Sequence, residues 1–313
     1  MYNTLIIFKG RKMAKVFIDG AAGTTGLKIS DRLSERKDID IITLADDMRK
    51  DESARAEAMS KADVVFLCLP DEAAVKAAAL AGGTTVIIDT STAHRTAPGW
   101  VYGMPELEGQ REKIKNSRKI ANPGCHASGF IALVAPLVSA GLLDKDGDYG
   151  CFSMTGYSGG GKKMIAEYES DNRASALDSP RQYGLTQYHK HLPEMQKICG
   201  LSKAPVFCPT VAPYYSGMQV SVPVFDCDTE AVKKLYSEIY ADGLIRYRDV
   251  SENGFIASNA LSGTDGMCVY VYGNGERAVL VSVFDNLGKG ASGAAIQNMN
   301  IILNVKETEG LII

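Results

Sequence analysis

The sequence has few histidines and lacks the paired cysteine spacings that build metal sites and disulfide frameworks. Its 313 residues include four histidines, one tryptophan and seven cysteines. The cysteines are odd in number and scattered, and no C-x-x-C pair occurs, which argues against a disulfide framework and a zinc ribbon. With so few histidines we expect no metal site. This usage of cysteine is typical of a reducing compartment, so we expect a cytoplasmic protein.

Long apolar runs and a dominant charge are missing as well. The longest charge-free apolar runs fall well short of the roughly 20 residues that a membrane span needs. The 34 basic and 37 acidic residues give a net charge of −3, and no basic block indicates nucleic acid. We therefore expect no membrane and no nucleic-acid partner. The apolar fraction of 45% is ordinary for a globular protein, and the length suggests about two domains.

The first half alternates short apolar strands with helices. The predicted strands are residues 15–19, 39–44, 64–69 and 86–88. The predicted helices are residues 24–33, 52–61 and 71–81. Continuous apolar strands separated by helices are typical of a parallel sheet that is covered on both faces. The pattern predicts an α/β fold with a Rossmann-type domain.

The second half has longer strand patterns, often adjacent, and fewer helices. Its predicted strands are residues 149–155, 204–211, 217–225, 267–273 and 278–284. This order favours an α+β domain with a mainly antiparallel sheet. The predicted division is an N-terminal extension at 1–12, a first domain at 13–124, a second domain at 125–287, and a C-terminal helix at 288–313 that returns to the first domain. Residues 1–12 are set apart because Met13 directly precedes the first strand.

A glycine-rich turn follows the first predicted strand. Residues 19–26 read D-G-A-A-G-T-T-G and open the first predicted helix. Glycines in such a turn allow close approach of a phosphate, which binds at the helix N-terminus. The spacing is G-x-x-G-x-x-G rather than G-x-G-x-x-G, and an ordinary tight turn is the alternative. The predicted cofactor-binding residues here are Gly20, Gly23, Thr24, Thr25 and Gly26.

The end of the second strand bears on the choice between NAD and NADP. A carboxylate there binds the ribose 2′-hydroxyl, and a basic residue accepts a 2′-phosphate. Asp46 falls near the expected position, but Arg49 and Lys50 follow at once. We predict NADP, with Arg49 and Lys50 on the 2′-phosphate. A solvated charged loop is the alternative.

Two further segments carry groups suited to anions. Hydroxyls and an arginine follow the fourth strand, and ligands bind at that edge of an open α/β sheet. Arg95 is predicted to bind a substrate anion and Ser91 to contact the cofactor, with a structural salt bridge as the alternative for Arg95. Residues 156–163 read G-Y-S-G-G-G-K-K, which resembles a small anion nest. This predicts substrate binding by Ser158 and Lys162, and a flexible surface loop is the alternative.

Cys125 stands between an Asn-Pro-Gly turn and an apolar run with helix length. The turn is expected to deliver the cysteine to a helix N-terminus, where the dipole and free N–H groups favour the thiolate. A thiolate is the nucleophile of covalent catalysis. The alternative is a small buried apolar side chain beside a turn.

The segment 189–194 reads H-K-H-L-P-E and supplies candidate acids and bases. General acid–base work beside a thiolate needs one histidine, and the spacing alone does not choose between His189 and His191. Glu194 is predicted to orient that imidazole. Two histidines could also bind zinc, but no third ligand is evident.

Four segments together resemble the shorter type of N-acetyl-gamma-glutamyl-phosphate reductase, a family related to the aspartate-semialdehyde dehydrogenases. They are A-N-P-G-C at 121–125, H-x-H-x-P-E at 189–194, the glycine turn at 20–26, and N-L-G-K-G-A-S-G-A-A-I-Q-N at 286–298. The resemblance runs from about residue 13 onwards. It implies NADPH-dependent reductive dephosphorylation of N-acetyl-glutamyl 5-phosphate, a step of arginine biosynthesis.

The resemblance also implies roles for particular residues. Cys125 maps to the nucleophile that forms a thioester, His191 to the acid/base and Glu194 to its partner. Arg95 falls in a substrate-binding loop, and Asn298 lies near the nicotinamide. Asn122, in the cysteine motif, is expected to bind substrate. The resemblance implies that residues 13–124 are a dinucleotide-binding domain and residues 125–287 a catalytic and dimerisation domain. By analogy we expect a homodimer or homotetramer. Three other possibilities remain. One is the same chemistry on an aspartyl, N-acetyl-aminoadipyl or carrier-bound glutamyl derivative. The others are a cysteine acyltransferase or hydrolase without a redox step, and a nucleotide-binding regulator that has lost catalysis.

Overall fold

The computed structural model describes residues 13–250 and 253–313. The predicted extension at 1–12 therefore lies outside the described residues. The chain divides into two compact units, one reaching to Pro123 and including Ala291–Leu311, the other made of Gly124–Gly290 and Ile312–Ile313. None of the helices that the described residues form has both the length and the apolar character that crossing a membrane requires.

The first unit is built on a parallel sheet, as the continuous apolar strands predict. Its described strands are β1 (Ala14–Asp19), β2 (Ile39–Ile42), β3 (Val64–Leu67), β4 (Val86–Asp89), β5 (Val101–Tyr102) and β6 (Lys119–Ala121). They lie in the order β2-β1-β3-β4-β6-β5. The sequence did not reveal β5 and β6, because strands of two and three residues carry too few positions for a pattern.

Helices cover this sheet on both faces. They are α1 (Thr24–Ser34), α2 (Glu52–Lys61), α3 (Asp71–Leu80) and α4 (Gln110–Lys115). Alternate residues of β1 face opposite sides, so Val16 packs with Ile29 of α1 while Phe17 packs with Met59 of α2. Every residue of β3 is buried, as expected of a central parallel strand.

The second unit is built on a mixed sheet. Its described strands are β7 (Gly150–Gly156), β8 (Arg181–Gln182), β9 (Val206–Ala212), β10 (Met218–Phe225), β11 (Ile245–Tyr247), β12 (Met267–Gly273) and β13 (Arg277–Phe284). They lie in the order β11-β12-β13-β10-β7-β9-β8. Most neighbours are antiparallel, but β7–β9 and β11–β12 are parallel. The predicted α/β class, with a parallel-sheet domain and an α+β domain whose sheet is mainly antiparallel, is confirmed.

The helices of the second unit include α5 (Cys125–Ser139), α6 (Gly161–Tyr168), α7 (Leu192–Cys199) and α8 (Thr229–Ile239). Pro136 lies inside α5 and has no N–H to donate to Ala132. The Tyr240 hydroxyl donates to the Ala132 carbonyl at 2.8 Å, and Tyr236 donates to Leu133. These two tyrosines of α8 and its C-cap satisfy carbonyls around the proline, so the helix continues through it.

The last helix, α9 (Gly293–Leu303), belongs to the first unit. Ile296 and Met299 are fully buried in the same core cluster as Val16 of β1. The sequence assigns the whole segment 288–313 to the first domain, but residues 288–290 group with the second unit, and so do residues 312–313 at the other end. Ile312 bonds to that unit through its N–H, which donates to the buried Asp265 carboxylate at 2.9 Å.

Candidate active site

The glycine turn between β1 and α1 contains two kinds of glycine. A Cβ on Gly20, at φ +89°, would collide with the Cys68 carbonyl, and one on Gly26 would lie 2.5 Å from the Gly20 carbonyl. A Cβ on Gly23 would meet nothing closer than 3.4 Å. Packing therefore requires Gly20 and Gly26 but leaves space at Gly23, the residue that caps the N-terminus of α1. That space suits the pyrophosphate of a dinucleotide.

Polar groups surround this turn. Asp19, at the end of β1, is buried and pairs with Arg55 of α2 at 2.6 Å, a contact that the sequence did not reveal. Of the residues predicted to bind a 2′-phosphate, Arg49 lies in the exposed turn after β2 and pairs with Asp46 at 2.7 Å. Lys50 follows it and is exposed. Both cations are thus available at the surface of this turn.

The turn after β4 is organised by a buried aspartate. Asp89 is fully buried and accepts from the Ser91 hydroxyl at 2.7 Å, and His94 Nδ1 lies 2.6 Å from the same carboxylate. The His94 ring stacks on Trp100 with centroids 3.9 Å apart. Ser91, predicted to contact the cofactor, therefore donates its hydroxyl proton to Asp89 and accepts from the Ala93 N–H at 3.2 Å.

Arg95 and Asn122 lie together in the first unit. Arg95 donates to the Asn122 carbonyl at 3.0 Å and to the Thr90 carbonyl at 3.2 Å. The buried Asn122 side chain donates to the Ala291 carbonyl at 3.0 Å. Asn298 of α9 donates to the Gly103 carbonyl at 2.9 Å. Arg95 thus fixes the backbone three residues before Cys125.

The Asn298 amide oxygen has no hydrogen-bond partner among the described residues, although the side chain is fully buried. A buried acceptor without a partner is costly, so such a group commonly serves a ligand. An amide acceptor suits the carboxamide N–H groups of a nicotinamide. Together with the space at Gly23, this means that the residues of the first unit fit a nicotinamide dinucleotide.

Cys125 is the first residue of α5, as the Asn-Pro-Gly signal predicts. Gly124 caps the helix in an extended conformation and its N–H donates to Glu194 at 2.8 Å. Its carbonyl accepts from the Ser128 N–H at 2.8 Å and from the Ser128 hydroxyl at 3.0 Å. The turn that precedes the cysteine is therefore held on both sides. The N–H groups at a helix N-terminus point out of the helix, and together with the helix dipole they can stabilise an anion at this position.

A second glycine-rich turn packs against the cysteine. A Cβ on Gly290 would lie 2.9 Å from the Cβ of Cys125. The turn itself is fixed by the buried Asp285, which accepts from the Leu287 N–H at 2.7 Å and from the Ser216 hydroxyl at 2.9 Å. Sequence reasoning assigned no role to these residues.

Three of the four histidines gather in the second unit. The rings of His126 and His191 are 5.2 Å apart, and those of His189 and His191 are 5.0 Å apart. His191 is buried, His189 is partly exposed, and the His191 N–H donates to His189 Nδ1 at 3.3 Å. Burial, followed by the nearby Lys190, lowers the pKa of His189. The predicted pair is thus brought together, and sequence reasoning missed the third member, His126.

Glu194 is buried near the N-terminus of α7, which places its carboxylate on the Gly124 amide. The sequence predicted that Glu194 orients a histidine ring. The structure shows a further contact, with the turn before Cys125, which the spacing of residues along the chain could not reveal. Ser158 is also buried, and its hydroxyl accepts from the Asn286 side chain at 3.0 Å. Lys162 is exposed at the start of α6. The anion nest predicted at 156–163 therefore has an anchored serine and a solvent-facing lysine.

Comparisons with known proteins place the chain in a family. Residues 15–117 match the family model "Semialdehyde dehydrogenase, NAD binding domain", and residues 125–286 match "Semialdehyde dehydrogenase, dimerisation domain". The "N-acetyl-gamma-glutamyl-phosphate reductase 2" of Nostoc sp. is 42% identical over 95% of this chain and 99% of its own length. That of Brucella ovis is 43% identical over 92% and 98%. The chain belongs to the N-acetyl-gamma-glutamyl-phosphate reductase family.

The resemblance identified from the sequence is thereby confirmed, and the protein is an oxidoreductase of this family. A solved aspartate semialdehyde dehydrogenase II from Vibrio cholerae has the same fold, with a TM-score of 0.71 and 19% identity over 94% of this chain and 99% of its own. Within the described residues, no group of three or more histidine, cysteine, aspartate or glutamate side chains is arranged to hold a metal ion.

Proposed function

We propose that the protein reduces N-acetyl-glutamyl 5-phosphate to N-acetyl-glutamate 5-semialdehyde with NADPH, in arginine biosynthesis. The observation that carries this proposal is the placement of Cys125 at the N-terminus of α5, in a chain more than 40% identical to N-acetyl-gamma-glutamyl-phosphate reductases. The next residue, His126, packs against His191 and His189, with ring centroids 5.2 and 6.1 Å away. A thiolate at a helix N-terminus suits attack on an acyl phosphate.

The first step forms a thioester. The Cys125 sulfur attacks the acyl carbon, a carbon–sulfur bond forms, and the carbon–oxygen bond to phosphate breaks. Backbone N–H groups at the start of α5 stabilise the oxyanion of the tetrahedral intermediate. Inorganic phosphate leaves with the bonding electrons. We assign its binding to Arg95, with Ser158, Lys162 and Asn122 as further substrate contacts.

The second step reduces the thioester. The hydride, two electrons and one proton, would come to the acyl carbon from NADPH held at Gly23, Thr24, Thr25 and Asn298. The histidine pair donates a proton to the oxygen as the thiohemiacetal forms, and takes it back when the carbon–sulfur bond breaks and the aldehyde leaves. We assign this exchange to His191, with His189 beside it as the route to solvent. Loss of activity in His191→Asn but not in His189→Asn would support the assignment of the proton exchange to His191.

We propose NADP rather than NAD as the cofactor. The turn after β2 presents Arg49 and Lys50 at its surface, and cations there suit a 2′-phosphate. Gly23, Thr24 and Thr25 would bind the pyrophosphate at the start of α1, Ser91 would contact the dinucleotide, and Asn298 would hold the nicotinamide carboxamide.

The assay runs in the reverse direction. N-acetyl-glutamate 5-semialdehyde, phosphate and NADP are incubated with the wild type and with Cys125→Ala. Phosphate-dependent NADPH formation that the alanine abolishes supports both the reaction and the nucleophile. The wild type could instead bind NADPH, fail to oxidise N-acetyl-glutamate 5-semialdehyde, and oxidise aspartate semialdehyde or N-acetyl-aminoadipate semialdehyde. That result would mean that the enzyme performs the same chemistry on another acyl phosphate. Acyl transfer or hydrolysis without NADP reduction would contradict the redox step.

We further infer that the protein forms a homodimer through the second unit. Alternate residues of its sheet leave one face apolar and exposed, with Phe152, Val206 and Phe225 each more than half exposed. Residues on the opposite face of the same strands, such as Val220 and Val222, are fully buried. Large exposed apolar patches mark interaction sites. Light scattering should show a dimer or larger oligomer that Phe152→Glu dissociates; a monomeric wild type at micromolar concentration would contradict the proposal.

A further inference from the structure

His126, directly after the proposed nucleophile, has no part in the mechanism above. It lies in the first turn of α5 and is buried. Its Nδ1 lies 2.6 Å from the Ser153 hydroxyl, and its Nε2 lies 2.8 Å from the Tyr183 hydroxyl. Both ring nitrogens thus have a hydroxyl partner, one from β7 and one from the segment after β8.

The imidazole is held in its neutral form. Burial, followed by the charges of His189 and Lys190, lowers the pKa of His126 to about 3. The aromatic neighbours Phe207, Tyr183, His189 and His191 surround the ring with centroids 5.2 to 6.2 Å away. A neutral imidazole has one donor and one acceptor nitrogen. The hydrogen bonds from Ser153 through His126 to Tyr183 can therefore run in two directions only.

The two directions differ in what Tyr183 offers to Cys125. If Ser153 donates to Nδ1, the Nε2–H donates to the tyrosine oxygen and the phenolic proton is free to point elsewhere. In the opposite direction the Tyr183 hydroxyl donates its proton to His126 Nε2, and only the oxygen lone pairs face other groups. The Tyr183 hydroxyl, 2.8 Å from His126 Nε2, lies beside the residue that follows Cys125 in the first turn of α5. Burial, followed by the negative charge of Cys125, raises the pKa of Tyr183, so this phenol keeps its proton. An anion favours the direction that supplies a donor.

We propose that His126 is a positioning residue whose two hydrogen bonds turn the Tyr183 hydroxyl into a donor for the Cys125 thiolate. The order is Ser153 O–H to Nδ1, Nε2–H to the Tyr183 oxygen, and Tyr183 O–H toward the sulfur. This role rests on the proposed function only in taking Cys125 as the reactive cysteine. The chain of donors would supplement the helix N-terminus in keeping the sulfur ionised.

The test measures the pH dependence of Cys125 alkylation by iodoacetamide, followed by peptide mass spectrometry. Since only the thiolate reacts, the profile reports the pKa of the thiol. Tyr183→Phe should raise the pKa of the Cys125 thiol by about 0.5 to 1 unit, because the thiolate loses one hydrogen bond. At pH values below that pKa, alkylation should therefore be about three- to tenfold slower than in the wild type. The assay uses neither substrate nor cofactor, so a failure of the proposed reductase activity would leave its readout intact.

Two substitutions of His126 separate positioning from packing. His126→Gln keeps an N–H near the Nε2 position and should retain the wild-type profile within about twofold, whereas His126→Asn reaches only the Nδ1 position and should behave like Tyr183→Phe. The double variant Tyr183→Phe/His126→Asn should have the same thiol pKa as Tyr183→Phe alone, because both substitutions remove the same hydrogen bond to Cys125. Tyr240→Phe is the control, because it removes another buried phenol that bonds to α5 at Ala132. A thiol pKa that Tyr183→Phe leaves unchanged or lowers would overturn the proposal, as would equal effects of the Asn and Gln variants.

Discussion

Two glycine-rich turns, at 20–26 and at 288–290, show different uses of the same residue. In the turn at 20–26, Gly20 and Gly26 are required by backbone packing, whereas a Cβ on Gly23 would fit. In the turn at 288–290 both glycines are required, Gly288 by the Thr264 carbonyl and Gly290 by Cys125. A glycine that the protein's own atoms do not require is a candidate for contact with a ligand, and Gly23 is that residue. The second turn, in contrast, positions a reactive side chain.

Gly20→Ala should have the largest effect on stability. The positive φ disfavours any side chain, and the new methyl would collide with a backbone carbonyl that cannot move independently of the strand end. We expect a loss of about 3 to 5 kcal/mol in the free energy of unfolding, because strain and overpacking add. Urea denaturation followed by circular dichroism measures it. A loss below about 1 kcal/mol would mean that the turn can rearrange.

Gly290→Ala should have an intermediate effect on stability and a large one on activity. The methyl would lie 2.9 Å from the Cβ of Cys125 and 3.3 Å from the Phe284 ring. Overpacking of this kind costs about 1 to 3 kcal/mol. Displacement of the nucleophile should lower kcat about 100-fold. Gly266→Ala is the matched control, since its nearest neighbour would be 3.6 Å away. Activity that falls equally in both variants would contradict the assigned role of Gly290.

Glu194→Gln and Glu194→Ala should differ from each other. The glutamine keeps an acceptor for the Gly124 N–H, whereas the alanine leaves that buried amide without its partner. We expect the alanine to cost about 1 to 3 kcal/mol in stability and the glutamine less. Parallel thermal melts and steady-state kinetics measure both. Should the glutamine lose as much activity as the alanine with stability retained, the charge of Glu194 rather than its contact with Gly124 would be what matters.

Gly23→Ser should have the smallest effect on stability and a clear one on cofactor affinity. Gly23 has φ −74° and ψ 165°, which any residue adopts, and serine is a good helix N-cap. We expect unfolding to change by less than about 0.5 kcal/mol. Crowding of the phosphate should weaken NADPH binding about 10- to 100-fold, as measured by isothermal titration. Unchanged affinity would mean that the pyrophosphate does not approach this glycine.

Patterns within the sequence were sufficient for the parallel sheet and for the position of Cys125. Strands such as Val64–Leu67 carry continuous apolar residues, and the Asn-Pro-Gly turn marks the start of α5. The partnerships of His126 could not be predicted, because Ser153 and Tyr183 are 27 and 57 residues away along the chain. The contact of Glu194 with Gly124 spans 70 residues and was missed for the same reason. The available signal was that His126 adjoins the cysteine in a chain with four histidines.

The membership of α9 in the first unit has a consequence for the order in which the protein is made. Ile296 and Met299 complete the core cluster around Val16, but all of residues 124–290 are synthesised before them. Domains that are continuous in sequence can fold as they leave the ribosome. Here the first unit cannot complete its core until α9 has been synthesised. Part of its apolar core therefore stays exposed while the whole second unit leaves the ribosome. A chaperone that shields this surface would be needed most during that interval, and a translational pause just before α9 would prolong it.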